Sequence, residues 1–279
     1  MNDQKIPLTV IILVYNEEKN IERCLKSIHG WVRDIFVVDS YSTDRTLAIV
    51  EKYTDKIYQR EFESFANKFN WALTYLPVKT NWIMRLDADE IVIDPEYFFV
   101  ELKAKLEKDS NVAGCYVNQR FYFLNHWIRH GGYPRKVLRI WRTGSAHFEN
   151  RLLDEKMHIN GIIDYLDIDI ADIRQNGVSY WFNKHVQYAR LEAIEADRLN
   201  KCECVYRDGL DKISYKNKQK YYKAPIYIRP FIYFIYRLFY LKGYKDGIIG
   251  VFYHFLHGFV YREMVDFNIH KNKLRNLLK

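Results

Sequence analysis

LTVIILV (residues 8–14) runs directly into Tyr15-Asn16-Glu17-Glu18. Seven residues, apolar apart from Thr9 and mostly β-branched, predict a strand covered on both faces, as in a parallel sheet clad by helices. The same signature returns downstream. DIFVVD (34–39) reads as a second buried strand, KIYQ (56–59) as a short third, and NWIMRLD (81–87) as a fourth. Helical patterns fill the gaps. Asn16 is expected to cap a helix starting at Glu17-Glu18, with Ile21, Leu25 and Ile28 on its apolar face. Ser42 or Thr43 is expected to cap TDRTLAIVEKY. Phe65, Phe69, Ala72 and Leu73 form a helical stripe, and Pro95 opens the helix YFFVELKAKLEK. Strand and helix in alternation predict βαβ units and a largely parallel sheet.

From 112 to about 150 the rhythm changes. VAGCYVNQRFYFL and KVLRIW read as strands separated by turn signals, including His130-Gly131-Gly132-Tyr133-Pro134. They are expected to extend the sheet with mixed or antiparallel pairing. A long helix is predicted from about 179 to 207, with Tyr188, Leu191, Ile194 and Leu199 on one stripe. No internal repeat or low-complexity tract interrupts the chain. The expected organisation is an α/β domain over 1–210 and a basic, aromatic helical extension over 211–279.

The 279 residues are 48% hydrophobic and 16% aromatic, which excludes a disordered chain. Twelve Gly and six Pro exclude collagen. Cys24, Cys115, Cys202 and Cys204 make neither a CxxC pair nor a disulfide framework, which fits a reducing compartment. The N-terminus lacks the charged start, apolar stretch and cleavage site of a signal peptide. A cytoplasmic protein is expected.

The net charge of +8 is local. Residues 212–279 hold 14 Lys/Arg against 3 Asp/Glu, and Tyr221 to Tyr261 contains 15 Phe and Tyr. Such a stretch suits docking on something anionic. A membrane span needs about 20 consecutive apolar residues. PFIYFIYRLFYL is broken by Arg237, and the 14-residue IIGVFYHFLHGFVY carries His254 and His257. Both are expected to lie in the headgroup region as interfacial helices. Nothing resembles a nucleic-acid module, so nucleic acid is not an expected partner.

In open parallel sheets ligands bind beyond the carboxyl ends of the strands. Three such ends are polar: Tyr15-Asn16-Glu17, Asp39-Ser40-Tyr41-Ser42-Thr43-Asp44, and Asp87-Ala88-Asp89-Glu90. Asp87 and Asp89, two apart just past a buried strand, can share a divalent ion; hard oxygen donors suit Mg²⁺ or Mn²⁺. Alone, such a pair equally suits a surface loop, and Asp94-Pro95 nearby marks a helix start. Asp39 can accept hydrogen bonds from a ribose or a base.

VIILVYNEEKNIERCLKSI, VVDSYSTDRT and WIMRLDADE, in that order and spacing, resemble the N-terminal half of the family-2 inverting glycosyltransferases, which have the GT-A fold. ENRLLDEKMHINGIIDYL, WFNKHVQYARLEA and the aromatic tail resemble the bacterial branch that builds lipopolysaccharide core and exopolysaccharide. The resemblance spans residues 8–267. It implies a Rossmann-like mixed sheet flanked by helices, a nucleotide-sugar donor and Mn²⁺ or Mg²⁺. It implies that Val14, Tyr15, Asn16, Glu17 and Asp39, with Ser42 beside them, hold uracil and ribose. It places Asp87, with Ala88 next to it, on the sugar or ribose and Asp89 on the metal. Arg85 is expected to reach a phosphate or the sugar. Lys68 and Asn70 are expected to border the nucleotide pocket, unless they form a solvated helix face.

The catalytic base is expected from Asp154-Glu155, with Glu155 preferred. Related enzymes place His after the carboxylate; here Lys156 stands there. Trp181, Lys184, His185 and Tyr188 either pack as core or line the diphosphate or acceptor end. His130, Arg135, Arg139 and Arg142 either face an anionic acceptor or alternate along an exposed strand. The resemblance implies transfer of a hexose, UDP-glucose being the expected donor, to a lipid-linked glycan at the cytoplasmic face of the inner membrane. Alternatives are a polyprenyl-phosphate glycosyltransferase and a non-catalytic sugar-nucleotide-binding scaffold at the membrane.

Overall fold

A computed structural model describes residues 5–108, 111–149, 157–175, 177–199 and 209–277. The chain divides into two compact units, Met1–Trp127 with Tyr133–Gln175, and Ile128–Gly132 with Asn176–Lys279. The helix expected to belong with 1–210 therefore lies in the second unit.

The first unit is built on a mixed sheet. Its strands are β1 (Ile6–Val14), β2 (Val32–Asp39), β3 (Ile57–Gln59), β4 (Trp82–Arg85), β5 (Glu90–Val92), β6 (Val112–Phe123), β7 (His126–Ile128), β8 (Arg135–Arg142), β9 (Ala146–Phe148), β10 (Met157–Ile159) and β11 (Ile162–Asp172). The order is β3-β2-β1-β4-β8-β6-β11-β5, with β7 on β6, and β9-β10 form a separate ribbon. The β3-β2-β1-β4 half is parallel throughout. β8 runs antiparallel to both β4 and β6, the change of rhythm read in the sequence. This is the mixed GT-A architecture implied by the resemblance.

The apolar run of β1 is explained by two cores, one on each face. Leu8, Val10, Ile12 and Val14 pack with helices α1 (Ile21–Ile28) and α4 (Pro95–Lys108). Ile11 packs on the other face with Phe36, Val38, Phe69 and Trp141, under α3 (Phe65–Tyr75). Full burial of each such side chain contributes about 1.5–3 kcal/mol. α1 presents Ile21, Cys24, Leu25 and Ile28 to the core, the spacing of one helix face.

Two helix starts differ from expectation. α1 begins at Ile21, because Asn16 adopts a positive φ of 53° and its side chain accepts from the Thr43 N–H at 2.8 Å instead of capping. The second helix, α2 (Thr46–Val50), is short. Asp44 accepts from the Thr46 N–H at 2.9 Å, while Ser42 and Thr43 bond to the loop after β1.

The second unit is helical: α5 (Gly177–Leu199), α6 (Gly209–Lys223), α7 (Ile228–Ile235), α8 (Gly247–His254) and α9 (Tyr261–Leu277). π-helical turns extend α7 over Tyr236–Tyr240 and α8 over Phe255–Val260. α5 packs on α9. The buried side of α5 is Trp181, Ala189, Ala193 and Ala196, while Ile194 is exposed. Small residues let the two backbones approach, so the stripe expected at Tyr188, Leu191 and Ile194 is not the one in the core. Among the described residues no helix is long and apolar enough to cross a membrane.

Candidate active site

β2, β1 and β4 are neighbours and parallel, so their carboxyl ends open on one edge. The register sets Val14 opposite Asp39 and Ile11 opposite Arg85. The loops that follow β1 and β2 are stitched together. The Asn16 N–H donates to Ser42 Oγ at 2.9 Å, the Glu17 N–H to Thr46 Oγ1 at 2.8 Å, and the Glu18 N–H to Asp44 Oδ2 at 3.1 Å. Tyr15 projects from this edge, 58% exposed.

Asp39 is fully buried and orders the loop after it. Its carboxylate accepts from the Ser42 N–H at 3.0 Å and the Ser42 hydroxyl at 2.5 Å, and from Gln59 at 3.3 Å. Lys68 lies beneath the same edge, 1% exposed, which removes the solvated-face reading. Its Nζ donates to the Val14 carbonyl at 3.3 Å and to Ser40 Oγ at 2.5 Å. Burial pulls this ammonium down to about 8, with Asp39 opposing. Asn70 exchanges two 2.8 Å hydrogen bonds with the backbone of Phe148 and so anchors β9 on α3.

The acidic turn after β4 carries its own counter-charges. Arg85 grips Asp87 with two bonds of 2.9 and 3.0 Å while its guanidinium lies 3.9 Å from the Phe65 ring centre. Arg139, on β8, donates to Asp87 at 3.2 Å and to Glu90 at 2.5 Å. Burial pushes the Asp87 carboxyl up, but Arg85 and Arg139 outweigh it and hold it well below the usual carboxylate range. Burial pushes Glu90 up, with Arg139 opposing. Glu90 closes the turn by accepting from the Asp87 N–H at 3.0 Å.

Asp89 pairs with Arg174 at 2.8 Å, and Arg174 also reaches Asp172 at 3.2 Å. Arg174 arrives there because the Ile173 N–H bonds the Asp89 carbonyl at 2.9 Å at the end of β11. Burial, and then Asp89, push the Asp172 carboxyl up to about 7.

Asp87 and Asp89 thus stand on one turn as hard oxygen donors. Two carboxylates with phosphate oxygens filling other positions is a fitting donor set for Mg²⁺ or Mn²⁺. Among the described residues no group of three or more His, Cys, Asp or Glu side chains is arranged to hold a metal ion. Asp154 and Glu155 lie outside the described residues.

The sequence reading missed Arg174 and left Arg139, with His130, Arg135 and Arg142, either facing an acceptor or alternating along an exposed strand. Arg139 is buried, and the four residues do not belong to one unit. His130 belongs to the second unit and bonds Asp246 there at 2.7 Å. Arg142 donates to the Val112 carbonyl at 2.7 Å, and Arg135 is exposed. Trp181, Lys184, His185 and Tyr188 are also in the second unit, where His185 stacks on Trp181 at 3.7 Å and meets Tyr261 at 5.1 Å. The signal for Arg139 was its inward position on an alternating strand; for Arg174, its place just past a strand end.

Comparison with known proteins adds to this geometry. The model of glycosyl transferase family 2 matches residues 9–162. SunS of Bacillus subtilis, a prophage-derived glycosyltransferase, is 27% identical over 178 residues, 61% of this chain and 39% of SunS. LpsC of Rhizobium meliloti, a lipopolysaccharide core biosynthesis glycosyltransferase, is 28% identical over 166 residues, 57% of this chain and 58% of LpsC. The match thus spans less than two thirds of either relative. The crystal structure of S. aureus TarS 1-349 aligns over 94% of this chain and 88% of that one, at 14% identity and a TM-score of 0.45.

Proposed function

The chain belongs to glycosyl transferase family 2, and we propose that it moves a hexose from a nucleotide sugar, UDP-glucose first among donors, to a hydroxyl of a lipopolysaccharide-core or other lipid-linked glycan. The transfer is a single displacement that inverts the anomeric centre. The observation that carries this reading is the shared edge where β1, β2 and β4 end beside Asp39, Asp87 and Asp89. The name of the Rhizobium meliloti relative supports the acceptor class.

Tyr15 and the backbone of Val14 to Glu17, braced by Ser42 and Asp39 and underpinned by Lys68, receive the uracil and ribose. Asp87, fixed by Arg85 and Arg139, faces the sugar or ribose. Asp89, with Asp87 beside it, would hold Mn²⁺ or Mg²⁺. An ion held there would supply positive charge against the negative charge gathering on the leaving diphosphate. An acceptor hydroxyl is a weak nucleophile, so Glu155, or Asp154 next to it, takes its proton as the new bond forms, worth about 10²–10⁴-fold. Arg85, Arg139 and Arg174, which pre-orient Asp87 and Asp89, spare the donor side of the site reorganisation during reaction.

UDP release from UDP-glucose, with Mn²⁺ and a core-glycan acceptor, tests the reading. Asp89→Ala should lose at least about 10²-fold in rate. Glu155→Gln should lose about 10²–10⁴-fold while UDP affinity by calorimetry holds. Full transfer by both Glu155→Gln and Asp154→Asn would favour a polyprenyl-phosphate acceptor, which needs no base. Donor binding without turnover under any condition would favour a non-catalytic scaffold.

A further inference from the structure

A helix in a folded domain ordinarily turns its apolar stripe inward. In the second unit two helices do the reverse. Along α7 and its π-turn, Ile228, Phe231, Ile232, Ile235, Tyr236, Phe239 and Tyr240 are all exposed, at the spacing of a single helix face. The opposite side carries Arg229 and Arg237, 3% and 8% exposed. Arg229 is held by Asp266 at 2.9 Å; Arg237 donates to the Gly131 carbonyl at 2.9 Å. α8 and its π-turn repeat the inversion: Ile248, Phe252 and Phe255 are exposed, and His254 is fully buried.

The rings of this face cluster. Tyr236 stacks on Tyr240 at 5.0 Å within the π-turn, Phe239 meets Tyr244 of the next turn at 6.4 Å, and the half-buried Phe234 meets Phe255 at 6.0 Å. Ile248 and Tyr240 are 82% and 74% exposed. Between the two helices, Lys242 and Lys245 are exposed, whereas Asp246 is buried against the His130 backbone and ring. Among described residues 226–256 these lysines are the only exposed charges.

Charged groups satisfied inside and apolar groups outside is the pattern demanded by a low-dielectric exterior. We propose that this face docks on an anionic lipid bilayer. α7 and α8 lie in the interface plane, aromatic rings sit among the headgroups, Ile248 reaches below them, and Lys242 and Lys245 meet the lipid phosphates. A second copy of the chain is the poorer occupant, because a two-fold contact centred here returns the same lysine pair to itself. The proposal is independent of the transfer reaction, since docking needs no donor.

Flotation of the full chain with vesicles tests it. Binding to phosphatidylcholine vesicles mixed with phosphatidylglycerol should exceed binding to phosphatidylcholine alone by at least about tenfold, and should weaken as salt rises. Lys242→Glu with Lys245→Glu should erase that preference. Phe239→Ser with Ile248→Ser should abolish binding to both, with the melting temperature unchanged because both side chains are exposed. Wild-type protein that stays unbound with every vesicle, or binding that survives the serine substitutions, overturns the proposal. So does a dimer in light scattering that the serine substitutions split while vesicle binding persists, which would put a second copy on the face.

Discussion

Lys68 shows what one residue can do at a strand edge. Its ammonium sits on the Val14 carbonyl and Ser40, out of water, and burial lowers it from 10.5 to about 8. Between those values the unfolded chain binds a proton that the folded chain does not. Stability therefore falls as pH drops through this window, and the full cost, about 3 kcal/mol, applies below pH 8. Urea unfolding of the wild type should accordingly show a gain from pH 8 to 10 that Lys68→Met lacks. An identical pH dependence in both proteins would mean that the ammonium is not buried as described. UDP affinity should weaken in the variant, because the edge loses the group that ties the ends of β1 and β2 together. Asp87 and Asp89 differ from Lys68 in being ion-paired: Arg85 and Arg139 hold the first and Arg174 the second.

At the scale of elements, helix ends and close contacts decide more than propensity. The loop from Asn16 to Glu18 forgoes helix because its backbone donors are taken by Ser42, Thr46 and Asp44. In the second unit His254 is wedged against two glycines. A Cβ at Gly243 would stand 2.3 Å from its ring, and Gly131, at φ +78°, is as tightly placed. Burial, with Arg237 adding to it, lowers the His254 imidazole to about 4. The unfolded chain takes up this proton near pH 6.5 and the folded chain does not. Stability is therefore lost as pH falls from 6.5 to 4, by about 3 kcal/mol. Gly243→Ala should lower the melting temperature sharply, and Gly243→Ala with His254→Ala should lose less than the sum of the two single changes. Strict additivity in thermal unfolding would remove the contact from the account.

For the whole molecule, the two proposals fall to separate units: a sheet edge for the donor in the first and an inverted helical face for the lipid in the second. Lys242→Glu with Lys245→Glu should leave kcat/KM for a soluble glycan acceptor unchanged and reduce transfer to the same glycan embedded in phosphatidylglycerol vesicles by about tenfold. An equal loss on both acceptors would tie the lysines to chemistry instead. Much of the first unit could be read from the chain. The run at 8–14, its returns at 34–39 and 81–87, and the acids at 87 and 89 are local patterns, and a local period suffices to place a strand and its polar end. The partners of those acids were not legible. Arg139 meets Asp87 across 52 residues, and only because β8 runs antiparallel beside β4. Arg174 meets Asp89 only because β11 ends next to the acidic turn. The aromatic tail was recognisable as helix, but which of its faces turned outward depended on where Arg229 and Arg237 found partners and where His254 found room. Periodicity resides in consecutive residues, whereas register, burial and ion pairing arise from segments far apart in the chain and take form when the backbone closes on itself.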